Sequence, residues 1–257
     1  MRKLLLYTLT LVGVLLFTGC GQSGGGAGES AGSAAEAVVQ GADQATNSTG
    51  QPPATDITAE TAAEEAAPSG PTVLFLGDSI TAGLGLEPEQ AFPAILDARL
   101  DSMGVDAILV NAGLSGETSA GGLRRVDWLL QRPVDVLVLE LGGNDGLRGV
   151  DLQSTRSNLQ GIVDQVRAKN PKTVLVVAGM MIPPNLGPDY TKSFAAMYPE
   201  LAASNDAILI PFLLDGIGGM ESLMQRDQIH PNAAGHRAVA DLVEPYLIQA
   251  LRAVPAS

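Results

Sequence analysis

Five short apolar runs, separated by stretches of helical character, constrain the fold of this chain more than any other feature. The runs predict strands over Thr72–Gly77, Ala107–Val110, Val134–Leu141, Thr173–Ala178 and Ala207–Pro211. A helical stretch that starts with Pro and Glu residues is expected after the first strand and through Met103, and further helices over Leu123–Leu130, Leu152–Lys169 and Tyr190–Ala203. Strands that are apolar along their whole length are buried on both faces, as in a parallel sheet covered by helices. The pattern predicts an α/β fold, a three-layer α/β/α sandwich around a parallel sheet.

The end of the chain predicts one more helix, with a single face packed on that sheet. Apolar residues recur there at the i, i+3, i+4, i+7 spacing of an amphipathic helix. They are Val239, Leu242, Val243, Tyr246, Leu247, Ala250 and Leu251.

The first residues have the composition of a targeting segment. Arg2 and Lys3 precede an almost wholly apolar run, Leu4–Phe17, which is shorter than the roughly 20 residues of a membrane span. We therefore expect residues 1–19 to be a signal peptide. Cys20 stands at the expected cleavage point, which resembles the lipobox of bacterial lipoproteins, where this cysteine becomes the lipid-modified first residue. Ordinary secretion with an incidental free thiol is the alternative.

The resemblance to lipoproteins implies a location in a bacterial cell envelope. The membrane would then be a partner of the chain through the lipid anchor, with the protein facing the periplasm or the exterior. In such lipoproteins an aspartate after the cysteine commonly signals retention in the inner membrane. Gly21 stands there instead, which favours the outer membrane if the cell has two.

Residues 20–70 are expected to form a disordered linker. The segment after Cys20 is rich in Gly, Ser, Ala, Thr and Pro, with seven acidic residues and no Lys, Arg or aromatic residue. Such a composition buries too little apolar surface to offset the entropy of ordering the chain. A flexible coil of about 50 residues has an r.m.s. reach of roughly 40 Å. One folded domain over residues 71–257 remains.

Charge and composition exclude several classes of function. The formal net charge is -13, and an acidic surface repels phosphate backbones, so no nucleic-acid partner is expected. One cysteine permits no intramolecular disulfide, and two histidines make a multi-histidine metal centre improbable. Gly83 and Gly85 are not followed by the Lys-Ser/Thr of a phosphate-binding loop. We expect neither a metal nor a cofactor.

Four polar segments carry the residues from which a reactive site can be built. They are Gly77-Asp78-Ser79, Asn111-Ala112-Gly113, Gly142-Gly143-Asn144-Asp145 and Asp227-Gln228-Ile229-His230-Pro231. Three of them follow predicted strands and the fourth precedes the last helix. Ligand sites in open α/β sheets form outside the carboxyl ends of the strands, so these segments are expected to meet.

The residue types in these segments point to acyl transfer. A serine hydroxyl becomes an effective nucleophile when an imidazole accepts its proton, which predicts Ser79 as nucleophile and His230 as base. Asp227 is placed to orient the ring of His230. The Ser79 N–H, the Gly113 N–H and the Asn144 amide are the expected oxyanion donors. The second glycine of Gly-x-Ser-x-Gly is absent, which argues against an α/β-hydrolase elbow.

These blocks resemble those of the SGNH (GDSL-type) hydrolases. The runs VLFLGDSITAGLGL, NAGLSGETSAGGLRR and VLELGGNDGLRG are similar to the bacterial arylesterase, thioesterase and lysophospholipase branch. The resemblance covers the chain from Thr72 onward. It implies a flavodoxin-like sheet, a metal-free serine mechanism and hydrolysis of acyl esters or lipids. It also implies that the triad is Ser79, Asp227 and His230, and that Ser79, Gly113 and Asn144 form the oxyanion hole.

Two other functions stay open on the sequence alone. One is a carbohydrate O-deacetylase on the same scaffold, although aromatic residues at 4% provide few platforms for sugar stacking. The other is a lipoprotein that only binds lipid or glycan, since a fold does not determine a function. An intact set of Ser79, His230 and Asp227 favours catalysis.

Other residues near these segments also have expected roles. Met181, Leu186 and Tyr190 lie in a proline-rich loop after the fourth strand, and their apolar character predicts a wall that contacts the acyl chain. His236 is expected to pack in the last helix, because it lacks an acid three residues before it. Glu140 is expected to be structural.

Overall fold

The computed structural model describes residues 70–255; the predicted signal peptide, Cys20 and nearly all of the predicted linker lie outside this range. The strands are β1 (Thr72–Gly77), β2 (Ile108–Asn111), β3 (Val136–Glu140), β4 (Val174–Ala178) and β5 (Ile208–Ile210). The α-helices are α1 (Ser79–Ala82), α2 (Phe92–Ser102), α3 (Ser119–Leu129), α4 (Gly143–Leu147), α5 (Leu152–Lys169), α6 (Pro188–Ser204) and α7 (Ala233–Ala253). Short 3₁₀ turns cover Pro88–Gln90 and Pro184–Leu186. Within residues 70–255, no helix combines the length and apolar character that a membrane span requires.

The five strands form one parallel sheet in the order β2-β1-β3-β4-β5. This is the flavodoxin-like order, in which the direction of winding reverses between the first and third strands. Ligands in such sheets bind at this reversal, outside the carboxyl ends of the strands. The ends of β1 and β3 are therefore the expected location of the site.

Helices cover both faces of the sheet. α2 packs against α7, and α5 packs against both α3 and α6. Every residue of β3 and all but the first of β1 are buried between these layers. Burial on both faces is the reason that the strands read as continuous apolar runs. The predicted three-layer α/β/α sandwich is confirmed.

Helix α7 uses the apolar face that its spacing predicts. Val239, Val243, Leu247 and Ala250 are buried, and Leu242, Tyr246 and Leu251 are partly buried against the same core. The helix begins after Asn232, whose side-chain oxygen accepts hydrogen bonds from the backbone N–H groups of Ala234 and Gly235. This cap also fixes where the preceding segment, with His230, enters the helix.

Helix starts differ most from the sequence prediction. α3 begins at Ser119 rather than near Leu123, because the Thr118 hydroxyl accepts the Gly121 N–H and caps an extra turn. The short helices α1 and α4 are not predicted at all. Each is about one turn long, which is too short to show a helical period.

Candidate active site

The loop after β1 carries Ser79 on the first turn of a helix. Asp78 caps that helix, because its Oδ1 accepts the Ile80 N–H at 3.0 Å. Gly83 ends it in the left-handed conformation, with φ of 75°. Ser79 is 7% exposed and lies at the carboxyl end of β1. The cap thus holds the hydroxyl at the edge of the sheet where the strand winding reverses.

Three side chains form a continuous hydrogen-bonded chain at this edge. Ser79 Oγ lies 2.8 Å from His230 Nε2, and His230 Nδ1 lies 2.7 Å from Asp227 Oδ2. Asp227 Oδ1 also accepts the backbone N–H groups of Ile229 and His230, at 2.9 and 3.0 Å. These hydrogen bonds lower the pKa of Asp227 to about 2, and the bond with the His230 side chain contributes most.

An ionised Asp227 assigns the tautomer of His230. A carboxylate only accepts hydrogen bonds, so His230 Nδ1 carries the proton and Nε2 is free to accept the Ser79 hydroxyl. The arrangement can therefore move a proton from Ser79 to the ring while Asp227 stabilises the resulting positive charge.

The segment that carries His230 is fixed by its own backbone. The Gln225 N–H donates to the His230 carbonyl at 2.7 Å, and Gln228 takes a left-handed conformation with φ of 58°. The Asn232 side-chain amide donates to the carbonyls of Ser222 and Met224 at 3.0 and 3.2 Å. Asn232 thus holds the turn at its two ends, which keeps the ring of His230 directed at Ser79.

Two of the three predicted oxyanion donors have a hydrogen available. The Ser79 N–H makes no hydrogen bond to the described part of the chain. Asn144 Nδ2 donates one of its two hydrogens to Asp78 Oδ2 at 3.1 Å, which leaves the second free. The Arg148 guanidinium approaches the oxygen of the same amide at 3.5 Å.

Gly113 departs from the expectation that its N–H is uncovered. That N–H donates to Asn111 Oδ1 at 2.9 Å. The role of the Gly113 N–H as an oxyanion donor stays a prediction. To fill that role, the N–H would have to give up its hydrogen bond to Asn111 or donate to both oxygens at once. The structure shows a different need for glycine here, because a Cβ at Gly113 would lie 2.2 Å from the Ala82 nitrogen. The Asn111 side-chain amide also donates to the Thr81 carbonyl at 2.9 Å, so the loop after β2 packs directly on α1.

Gly77 also serves a steric purpose. Its φ is not positive, so a left-handed conformation is not what requires glycine there. A Cβ there would lie 2.0 Å from Thr81 Oγ1 and 2.5 Å from Glu140 Oε2. The absent side chain makes room for the buried carboxyl of Glu140 under the Ser79 turn. This role is not visible in the sequence, because Glu140 is distant along the chain.

Asp78 and Asp145 brace the loops that carry Ser79 and Asn144. Asp145 is buried and accepts the N–H and the hydroxyl of Ser119, at 2.8 and 2.5 Å. It also accepts the Thr155 hydroxyl at 3.3 Å. These bonds fasten α4, which carries Asn144, to the start of α3 and to α5.

A cavity of about 440 Å³ opens beside Ser79 and His230. Its lining is mostly apolar and includes Ile80, Leu147, Met180, Met181, Ile182, Pro183, Phe212, Leu214, Met224 and Ile229. These residues follow β1, β3, β4 and β5, whereas the loop after β2 contributes none of the lining. The cavity thus lies on the β3–β5 side of the nucleophile.

Only part of the predicted acyl wall lines this cavity. Met181 does so and is 56% exposed. Leu186 and Tyr190 are not among the lining residues, so their contact with an acyl chain stays a prediction that this cavity does not support. The methyl groups of Leu186 lie over Gly149, and the Tyr190 hydroxyl donates to the Val150 carbonyl at 2.7 Å. Leu186 ends the 3₁₀ turn that follows Pro183, and Tyr190 lies in the first turn of α6, so the chain has left the cavity wall at both residues.

His236 does not compete with His230 as a base. It is 1% exposed, its ring stacks on Phe92, and its Nδ1 accepts the Phe92 N–H at 3.1 Å. Burial lowers its pKa to about 4, so the ring is neutral at physiological pH. In residues 70–255 no cluster of three or more His, Cys, Asp or Glu side chains is arranged to hold a metal.

The close packing of the β2 loop on α1 predicts the effect of Gly113→Ala. The added methyl overlaps the Ala82 backbone, which cannot move without shifting Ser79. We expect a loss of about 1–3 kcal/mol in the free energy of unfolding, together with reduced ester hydrolysis. Urea unfolding measures the loss. Gly161→Ala in α5, whose nearest contact is the movable end of Leu123, is the control and should change stability by less than about 1 kcal/mol. Equal effects of both variants would contradict the steric role.

The comparison with known proteins agrees with this geometry. Residues 75–238 match the model of the GDSL-like lipase/acylhydrolase family. Esterase TesA of Pseudomonas aeruginosa is 43% identical over 178 residues, which cover 68% of this chain and 87% of that protein. Thioesterase 1/protease 1/lysophospholipase L1 of Escherichia coli K12 is 41% identical over 172 residues, covering 66% and 80%.

Solved structures give the same result. The psychrotrophic esterase EstA from Pseudoalteromonas sp., in a structure inhibited by monoethylphosphonate, aligns with a TM-score of 0.67 at 35% identity. The alignment covers 70% of this chain and 98% of that one. By sequence and by fold, the chain belongs to the GDSL-like lipase/acylhydrolase family and is an ester hydrolase.

Proposed function

We propose that this protein is a membrane-tethered serine esterase that cleaves acyl esters with Ser79, His230 and Asp227. The observation that carries the proposal is the unbroken hydrogen-bonded chain from Ser79 Oγ through His230 to an ionised Asp227. It stands at the mouth of an apolar cavity that can receive an acyl chain. The named activities of the relatives, esterase and thioesterase/lysophospholipase, support this class of reaction.

The first half of the reaction transfers the acyl group to the enzyme. His230 Nε2 takes the hydroxyl proton as Ser79 Oγ bonds to the ester carbonyl carbon. The carbonyl oxygen becomes an oxyanion, which the Ser79 N–H and the free Asn144 N–H can bind. When the intermediate collapses, the bond to the leaving group breaks. His230 gives its proton to the departing alcohol, and the acyl group stays on Ser79 as an ester.

The second half regenerates the enzyme with water as the nucleophile. His230 Nε2 takes a proton from water as the water oxygen bonds to the acyl carbon. The second oxyanion collapses, the Ser79 oxygen leaves with the proton from His230, and the carboxylic acid is released. Asp227 keeps its charge throughout and holds the ring in one tautomer.

The cavity favours acyl esters over acetylated carbohydrate. An acetyl group would leave most of a space of about 440 Å³ unfilled, whereas a longer chain would cover its apolar wall. Among the described residues that line the cavity, Phe212 is the only Phe, Tyr or Trp, so they offer no pair of such rings on which a sugar could stack. Aryl esters, lysophospholipids and acyl thioesters all present an acyl chain and are the substrates that we propose.

Substituting the members of the triad one at a time should distinguish their roles by the size of the loss in kcat. Ser79→Ala and His230→Ala should each lower kcat roughly 10⁵-fold or more, because no group then attacks or accepts the proton. Asp227→Ala should lower kcat less, by roughly 10⁴-fold, because the imidazole keeps some function without its orienting group. Steady-state hydrolysis of a p-nitrophenyl ester measures this order. Ser222→Ala, at an exposed serine, is the control. Full activity of Ser79→Ala would refute the mechanism.

The cavity wall should determine selectivity for acyl length. Each methylene buried against it contributes about 0.8 kcal/mol, which is a roughly fourfold rise in kcat/KM per methylene until the cavity is full. Met181→Ser and Leu147→Ser should flatten this rise and leave acetyl-ester turnover nearly unchanged. Both side chains are half-exposed, so the fold should tolerate the change.

Leu186→Ser is the matched control for this series, because Leu186 is similarly exposed and lies outside the cavity. It should keep the profile of the unaltered protein. A panel of p-nitrophenyl esters and acyl-CoA thioesters of graded length measures all three variants. If Leu186→Ser alone flattened the profile, the assignment of the acyl site to this cavity would be wrong.

We also propose that the tether is a lipid anchor at Cys20 in a bacterial cell envelope. The supporting features are the positive start, the short apolar run and the single cysteine at its end. Lipoprotein modification attaches more than one acyl chain, which stable residence in a membrane requires. The acidic linker would then give the catalytic domain a reach of roughly 40 Å from the membrane.

Changing Cys20 to Ser should move the protein from the membrane to the soluble fraction. The full chain is produced in a bacterium that processes lipoproteins, and the fractions are compared by immunoblot. Mass spectrometry of the N-terminal peptide should show acyl groups on Cys20 in the unaltered chain. Ser23→Ala is the control and should stay in the membrane. An unmodified thiol at the mature N-terminus would refute the anchor.

A further inference from the structure

Two carboxyl groups are buried together beneath the Ser79 turn. Glu140 is the last residue of β3, in register with Gly77 of β1, and is 1% exposed. Asp78 precedes the nucleophile and is 3% exposed. Acidic side chains are almost never buried without a cationic partner, so this pair requires an explanation.

Glu140 uses one of its two oxygens to hold the nucleophile turn. Its Oε2 accepts the Asp78 N–H at 3.0 Å and the Thr81 hydroxyl at 2.7 Å. These donors flank Ser79, one residue before and two residues after it. The other oxygen, Oε1, is buried and has no hydrogen-bond partner in the described chain.

Asp78 in turn restrains Asn144, the predicted oxyanion donor. Its Oδ1 accepts the Ile80 N–H and its Oδ2 accepts the Asn144 side-chain amide. Both oxygens of Asp78 are therefore hydrogen-bonded, whereas one oxygen of Glu140 is not. A negative charge is better satisfied on Asp78 than on Glu140.

No cation in residues 70–255 forms an ion pair with either acid. The other titratable groups in this region are His230, near Asp78, and Tyr198, which lies near Glu140, Asp145 and Asp78. The Tyr198 hydroxyl donates to the Leu141 carbonyl at 3.1 Å rather than to the acid. Burial, and then the charge of Asp78, raise the pKa of Glu140 well above its ordinary value. Burial also raises the pKa of Asp78, against the hydrogen bond from Ile80.

We propose that Glu140 is a positioning residue that works as a neutral, protonated acid. It locks the Ser79 turn through Oε2 and, by way of Asp78, sets the place of Asn144. Ionisation of Glu140 would put a second negative charge under the site where an oxyanion must form. The inference rests on the proposed function for its effect on catalysis, but its protonation state is a property of the folded chain alone.

The raised pKa of Glu140 determines how the stability of the folded chain changes with pH. A raised pKa means that the folded chain keeps the Glu140 proton at pH values where the unfolded chain has lost it. Stability contributed by this site is therefore greatest below the ordinary pKa of a glutamate and falls as pH rises toward the folded value. Glutamine at this position has no such proton to lose, so the stability of the Glu140→Gln variant should not show this fall with rising pH.

Glu140→Gln in the full chain tests the proposal. The amide keeps an oxygen that can accept from Asp78 and Thr81, so kcat at neutral pH should stay within about threefold of the unaltered protein. Its Tm should exceed that of the unaltered protein by a margin that grows between pH 5 and pH 9, reaching about 3 °C or more. Glu89→Gln, at an exposed acid, is the control and should follow the unaltered protein at every pH.

A second variant separates positioning from simple support of the fold. Thr81→Val removes one of the two donors to Glu140 while keeping the shape of the side chain. We expect kcat to fall by about 3- to 30-fold, with KM for a short p-nitrophenyl ester unchanged, because the misplaced turn affects the transition state rather than substrate binding.

Two results would overturn the proposal. If the Tm of Glu140→Gln ran parallel to that of the unaltered protein from pH 5 to pH 9, Glu140 would not hold the proton. If kcat of Glu140→Gln fell 100-fold or more at neutral pH, the site would require the charged form. The Tm measurement does not depend on esterase activity, so its outcome stands even if the proposed triad fails.

Discussion

The hydrogen bond between the Asp78 carboxylate and the Asn144 amide is the interaction on which the arrangement of the site depends. It joins two residues that are 66 positions apart, one after β1 and one after β3. The same carboxylate caps the helix that begins with Ser79. One buried side chain therefore fixes both a reactive hydroxyl and an amide that can bind the developing charge. Positions held in this way cost no reorganisation during the reaction, which is the basis of electrostatic catalysis.

The parallel sheet explains why these groups can meet at all. The winding reverses between β1 and β3, so no helix connection covers the space between their carboxyl ends. Ser79 and Asn144 occupy that space, and the turn before α7 brings His230 over it. The segments after β3, β4 and β5 build the apolar cavity to one side, while the β2 loop packs against α1 on the other. The strand order thus places the apolar cavity on one side of Ser79 and the closely packed β2 loop on the other.

Much of the fold could be read from the sequence, because parallel strands buried on both faces leave continuous apolar runs. The polar residues at strand ends could be read as well, because they interrupt the apolar runs at the edge of the sheet where sites form. Single-turn helices such as α1 escaped prediction because one turn is too short to show a helical period. The role of Gly77 escaped because it depends on Glu140, which is a neighbour only in the folded sheet.

The predicted acyl wall shows a second reason why the sequence does not reveal the whole site. Apolar residues in a proline-rich loop are expected to face a substrate, and Met181 does line the cavity. Leu186 and Tyr190 do not, because the 3₁₀ turn that begins at Pro184 redirects the chain toward Gly149 and Val150. Much of the wall comes instead from residues after β5, such as Phe212 and Leu214, which no local pattern connects with a site.

The most direct test of the account is the position of a covalent adduct. The full chain is treated with a long-chain alkyl fluorophosphonate, digested, and its peptides are sequenced by mass spectrometry. We expect one phosphonyl group per chain, on Ser79, and a labelling rate that falls when an apolar ester occupies the cavity. A label on another serine, or a chain that still hydrolyses esters after quantitative modification of Ser79, would contradict it.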